Sequence, residues 1–138
     1  MKTLGSVFII ICLFLFNSCK SNSSSPTDSG GLGGVGGGGT GGVTFTITQG
    51  AGNQGGIIFY ATPSAAVTIT KVNSSVPAVQ FTLDTQGDGT TVFPASKPVS
   101  INEFTGVASG QKWVFVFTGK LGSSTGTAFT ATSNYTVP

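Results

Sequence analysis

Any chemistry in this chain would have to begin at Asp84-Thr85-Gln86-Gly87-Asp88-Gly89. Asp84, Gln86 and Asp88 offer side-chain oxygens at alternate positions, and Gly89 permits a sharp bend, an arrangement with which a loop can grip calcium. The pattern is partial. Gln86 is neutral where a carboxylate or Asn is preferred, and Ala95 stands at the twelfth position, where a bidentate Glu would complete the shell. The other reading is a hairpin turn in which Asp88-Gly89 supplies a left-handed residue. Both stay open at this level, and no cofactor other than calcium is suggested.

The remaining chemical groups are few. The chain has no histidine, and all six of its basic residues are lysines. The commonest general base and zinc ligand are therefore missing, as is the bidentate guanidinium clamp. Of the acids, Asp84 and Asp88 share one turn, and Glu103 has no sequence neighbour with which to divide acid and base roles. We expect no enzyme; a hydrolase would need a deep polar pocket around Glu103. Trp113, Tyr60 and Tyr135 have the apolar body and polar tip that can stack on a sugar. Trp113 alternates with Phe115 and Phe117, which favours the core for that stripe. Tyr135 falls on the same face as Phe129, which leaves Tyr60 as the candidate ligand contact.

The elements that must carry these residues are strands. From Val43 onward the pattern has period 2, the mark of strands with one buried face. Val43, Phe45 and Ile47 alternate with threonines, and Ile57 to Ala61 is a continuous apolar run closed by Pro63. Val67 and Ile69 alternate within 66–72, and Val79, Phe81 and Leu83 are expected to point inward from a strand over 78–84. Short strands follow over 90–93 and 99–102. In Lys112 to Gly119, Trp113, Phe115 and Phe117 share one face and Val114 and Val116 the other, which suggests a central strand covered on both sides. The last strand, 127–137, aligns Phe129, Ala131, Tyr135 and Val137. No segment shows an apolar stripe at helical spacing. Seven or eight short strands separated by Gly, Pro and Asn turns predict a single antiparallel β-sandwich over 43–138. The stretch Gly110-Gln111-Lys112-Trp113-Val114-Phe115-Val116-Phe117 resembles the sixth strand of immunoglobulin-like and fibronectin type III-like domains. Trp113 stands there in the place of the corner tyrosine, whose hydroxyl bond an indole cannot copy. A jelly roll or a small up-and-down barrel remains an alternative.

Ahead of the strands the composition changes twice. Lys2 precedes the apolar segment Val7 to Phe16, which is too short for a membrane span of about 20 residues but suits a secretory signal. The segment ends in Phe16-Asn17-Ser18-Cys19, which resembles a bacterial lipobox, with the small Ser18 just before the cysteine that would carry the lipid. That resemblance implies a signal peptide over 1–18, lipidation of the Cys19 thiol with a diacylglycerol (palmitate being the fatty acid expected), and a membrane anchor that does not span the bilayer. Lys20 next to the cysteine differs from the Asp that retains enteric lipoproteins in the inner membrane, so the resemblance points to the outer membrane. Residues 19–42, rich in Ser and Gly, cannot bury a core and should form a flexible tether with a reach of roughly 26 Å. The glycines lack the preceding strand, the closing Lys-Ser/Thr and the following helix of a phosphate loop.

Only 7% of residues are charged. In the mature chain five lysines would face four acids, giving side chains a net +1, with no basic stripe for nucleic acid. Cys12 lies in the signal and Cys19 would be acylated, so no disulfide is expected and the domain must stand on its packing. The expectation is a cell-envelope lipoprotein, lipid-anchored and lying on the periplasmic face or the cell surface, that presents a binding, adhesion or structural module. Its partners would be the membrane through the lipid, and a glycan or an envelope protein. As an accessory subunit of an envelope complex it would use a sheet edge free of Lys and Pro to pair with another chain.

Overall fold

The structure, a computed structural model, describes residues 42–138. The expected signal over 1–18, Cys19 and, apart from Gly42, the expected tether lie outside the described residues. The strands are β1 (Phe45–Ala51), β2 (Ile57–Pro63), β3 (Val67–Val76), β4 (Phe81–Gln86), β5 (Val92–Phe93), β6 (Val99–Phe104), β7 (Lys112–Leu121) and β8 (Ala128–Thr136). They form two antiparallel sheets, one ordered β1-β2-β6 and the other β4-β3-β7-β8, with β5 also paired to β3. The described residues are therefore all-β, a single sandwich, as their alternating pattern predicts. If β4 and β5 are counted as one interrupted edge strand, β7 is the sixth strand. The order then sets the first, second and fifth strands against the third, sixth and seventh, as in immunoglobulin-type sandwiches. The fourth strand lies beside the third.

Alternation works because successive side chains of a strand point to opposite faces. Phe45 and Phe59 from one sheet meet Trp113, Phe115, Phe117 and Phe129 from the other, all of them buried. Phe59 has no exposed surface. Its ring lies 4.9 Å from Trp113, 5.2 Å from Phe115, 5.7 Å from Tyr135 and 5.8 Å from Phe104. Trp113 is thus a core residue, 4% exposed, and Tyr135 packs half-buried against the same core.

Three expectations change. First, β3 runs to Val76 and does not stop at Val72, because it carries a bulge. Ile69 faces Gly119 and Lys71 faces Thr118, leaving Thr70 without a partner on β7. One extra residue reverses the parity of a strand, so Val67 and Ile69 before the bulge and Val72 and Val76 after it all face the core. Second, the strand expected over 78–84 starts at Phe81. Pro77–Val79 form a 3-10 turn ending at Gln80, whose φ is 53°. Pro77 has no N–H for the ladder, and Val79 ends up 64% exposed in place of pointing inward. Phe81 and Leu83 do turn toward the sandwich, but they stand at its margin and stay 38% exposed. Third, β7 is central within its sheet, between β3 and β8, yet covered on one face only. Val114 and Val116 on the outer face are half-buried among neighbouring strands.

Candidate functional site

Residues 84–86 are the end of β4 and 87–91 are a loop that interrupts the edge before β5, so the hairpin expectation is corrected to that extent. β4 pairs with β3 from Val76 to Lys71, and β5 resumes along the same side of β3 at Thr68 and Val67. Residues 87–91 therefore lie alongside the β3 bulge. There the N–H groups of Gly87 and Gly89 donate to Thr70 O and Ile69 O, at 2.9 and 3.0 Å. Gly87 is required because a Cβ at that position would run into the Ile69 carbonyl oxygen. Gly89 has φ 67°, the left-handed conformation anticipated for it.

Of the three candidate ligands, Asp84 and Asp88 take different partners. Asp84 and Gln86 lie on the outer face of β4. The Asp84 carboxylate accepts a 2.6 Å bond from Asn73 Nδ2 and lies 3.6 Å from Lys71 Nζ. The Asn73 bond, with help from Lys71, holds its pKa below the usual carboxylate value. Asp88 belongs to the loop and is turned into its own backbone. It accepts from the Thr91 hydroxyl and from the N–H groups of Thr91 and Thr90, both at 2.8 Å. Those bonds, the Thr91 hydroxyl first, lower its pKa to about 2. Among the described residues no three His, Cys, Asp or Glu side chains gather as a metal-binding group.

Glu103, near the end of β6, is fastened to the β1–β2 loop of its own sheet. Its carboxylate accepts from the N–H groups of Gly56, Gln54 and Asn53 at 2.9, 2.9 and 3.0 Å. The Gly56 bond leads in lowering its pKa, with Gln54 and Asn53 adding to it. Gly52 leaves the space for this carboxylate, since a Cβ there would overlap it. Glu103 therefore acts as a loop anchor. Tyr60 lies half-buried on the outer face of the smaller sheet, paired between Thr48 and Ser100, with its ring over Gly50.

Sequence reasoning missed Gln111. Its Oε1 accepts from Ala108 N at 3.2 Å and from Trp113 Nε1 at 3.3 Å, while its Nε2 donates to Gly106 O at 3.3 Å. One amide thus ties the β6–β7 connection to the start of β7, the work a corner tyrosine hydroxyl does in immunoglobulin-type domains. A polar residue two positions before the Trp was the available signal.

Of these residues Glu103, Gln111 and Gln86 border the open flank of the sandwich, between the β4–β5 edge and β6, whereas Asp84, Asp88 and Tyr60 do not line it. A cleft of about 300 Å³ lies there, lined by Val79, Phe81, Phe104 and Trp113 together with Glu103 and Gln111. A second cleft of about 160 Å³, lined by Thr85, Phe93 and Ile101, continues along the flank. Phe81 closes over the first, edge-on to Phe104 at 6.0 Å and to Trp113 at 5.8 Å. What the geometry defines is a β-sandwich with one apolar flank left open beside an edge strand, β4, that among the described residues is paired on one side only. Comparison with known proteins finds no match to a family model, to a curated protein or to a solved structure.

Proposed function

We propose that the protein is a bacterial cell-envelope lipoprotein, held in the outer membrane through lipid on Cys19, whose β-sandwich serves as a binding or structural module and not as an enzyme. The observation that carries the anchor is the succession in the sequence: a short apolar segment, Ser18-Cys19, a Ser/Gly-rich run, then the domain. Two acyl chains or more attach a protein stably without a transmembrane segment. The module reading is supported by the use made of the acids, since the carboxylates of Asp84, Asp88 and Glu103 each accept hydrogen bonds from neighbouring donors and hold strand and loop together.

Between the two kinds of partner, the β4 edge favours a polypeptide. Phe81-Thr82-Leu83-Asp84-Thr85-Gln86 contains neither Lys nor Pro, the residues that most often protect an edge. A glycan platform has less support, because Trp113 is buried and Tyr60 is half-buried.

Mass spectrometry of the N-terminal peptide from membranes of the native host tests the anchor. A diacylglyceryl adduct on Cys19 is expected, and Cys19→Ser should release the protein from the membrane fraction. An unmodified Cys19 would refute it.

A further inference from the structure

We propose that the protein pairs with a second copy of itself through β4, antiparallel about a two-fold axis at Leu83, so that the two larger sheets become continuous. The inference rests on reading the domain as a binding or structural module; it does not depend on the lipid. Among the described residues nothing pairs with the outer side of β4, and its ladder to β3 is regular from end to end. An edge strand turns half of its N–H and C=O groups outward, ready to template another strand. The other edges differ. β1 is engaged by β8 through Ser133 Oγ, which donates to Phe45 O at 2.8 Å. β6 is distorted by an irregularity opposite Phe59 and Tyr60. β8 has its apolar residues Phe129 and Ala131 already buried. Among the described edges β4 alone combines a regular ladder of this length with large apolar side chains, Phe81 and Leu83, that remain exposed.

The register follows from parity and charge. Phe81, Leu83 and Thr85 pair with the buried or inward positions Val76, Ser74 and Val72, so they share the sandwich-facing side. Directly opposed residues of an antiparallel pair also share a face. A two-fold axis falling between residues would set Leu83 against Asp84 and turn one copy's apolar row to the wrong side. The axis must therefore pass through a residue.

At Asp84 it would oppose two carboxylates. At Thr82 it would bring Gln80, held at φ 53°, into the ladder against Asp84. At Leu83 the ladder uses regular strand only: Leu83 meets Leu83, Phe81 meets Thr85, and Thr82 meets Asp84. No like charges are opposed, and each Asp84 keeps its own Lys71 at 3.6 Å. The contact is isologous and closes as a dimer. An edge this short gives a weak dimer in solution, and tethering on one membrane would raise its effective concentration.

The test uses the chain with Cys12 and Cys19 both replaced by serine, so that loss of the lipid cannot be confused with loss of pairing. Sedimentation equilibrium is expected to show a reversible monomer–dimer equilibrium. Leu83→Lys should weaken it at least about tenfold, a change of about 1.4 kcal/mol, while the melting curve stays in place. In the same background Leu83→Cys supplies the sole thiol. Under mild oxidation it should form a covalent dimer much faster than Thr48→Cys, an exposed position on β1. A chain that stays monomeric at every concentration overturns the proposal, as does a dimer indifferent to Leu83→Lys or cross-linking no faster at Leu83 than at Thr48. Selective pairing with a different protein by a monomeric chain would overturn it in favour of that partner.

Discussion

The two flanks of this sandwich are built from similar strands and end in opposite states. On the β1–β8 flank the sheets meet. Phe45 stacks on Phe117 at 4.0 Å and lies 5.9 Å from Phe129, and Ser133 bonds to the Phe45 carbonyl. On the β4–β6 flank they stand apart around two clefts, and Phe81 bridges the gap with much of its ring in water. Both flanks have a phenylalanine at the margin, so the difference lies in what faces it. Phe45 is enclosed by Phe117 and Phe129 of the opposite sheet, whereas Phe81, on an outermost strand, meets Phe104 at the end of β6 there and, among the described residues, no second aromatic ring of that sheet. An apolar residue is driven inside by the area it can remove from water, and at the open flank that area is limited.

The largest effect should come from the two phenylalanines compared directly. Phe45→Ala is expected to cost about 3–5 kcal/mol, as for a buried Phe. Phe81→Ala should cost about 1 kcal/mol, because part of its surface is already in water. Urea denaturation of both variants measures the contrast, and equal losses would abolish the distinction between the flanks.

Next is Ser133→Ala, which leaves the Phe45 carbonyl without this donor in a buried setting. About 1–3 kcal/mol should be lost, read from the same denaturation midpoint. The smallest effect is at the open flank and depends on pH. The folded-state pKa of Asp88, about 2, lies below its ordinary value of 3.8. The ionised form therefore favours the folded state. Its contribution is full above about pH 4 and fades as the pH falls toward 2. Thermal melts of the parent and Asp88→Ala should differ by a constant amount above pH 4 and converge below it. A difference that persists undiminished at pH 2 would mean the carboxylate charge is not what holds the loop.

How far the fold can be read from the residues varies along the chain for physical reasons. Trp113, Phe115 and Phe117 announce a buried face because period 2 is a property of the strand itself. The β3 bulge left a trace that is easily passed over: the apolar positions shift from odd, at Val67 and Ile69, to even, at Val72 and Val76. Glu103 gave no such trace, since its partners lie 47 to 50 residues away in the β1–β2 loop. Gln111 looks like any polar turn residue until folding sets its amide against Gly106, Ala108 and Trp113.

The sequence by itself determined that this is an all-β domain with an aromatic interior and few charged groups, because alternation, turn residues and composition act over a few neighbouring positions. It also carries the case for an anchor at Cys19, which lies outside the described residues. Only the tertiary structure decided which alternating strand would be an edge, and therefore that Phe81 and Leu83 would remain in contact with water. It likewise decided that the acids would each hold a piece of backbone or a neighbouring side chain. Exposure and hydrogen bonding depend on what lies across the sandwich, and that is fixed by contacts far apart along the chain.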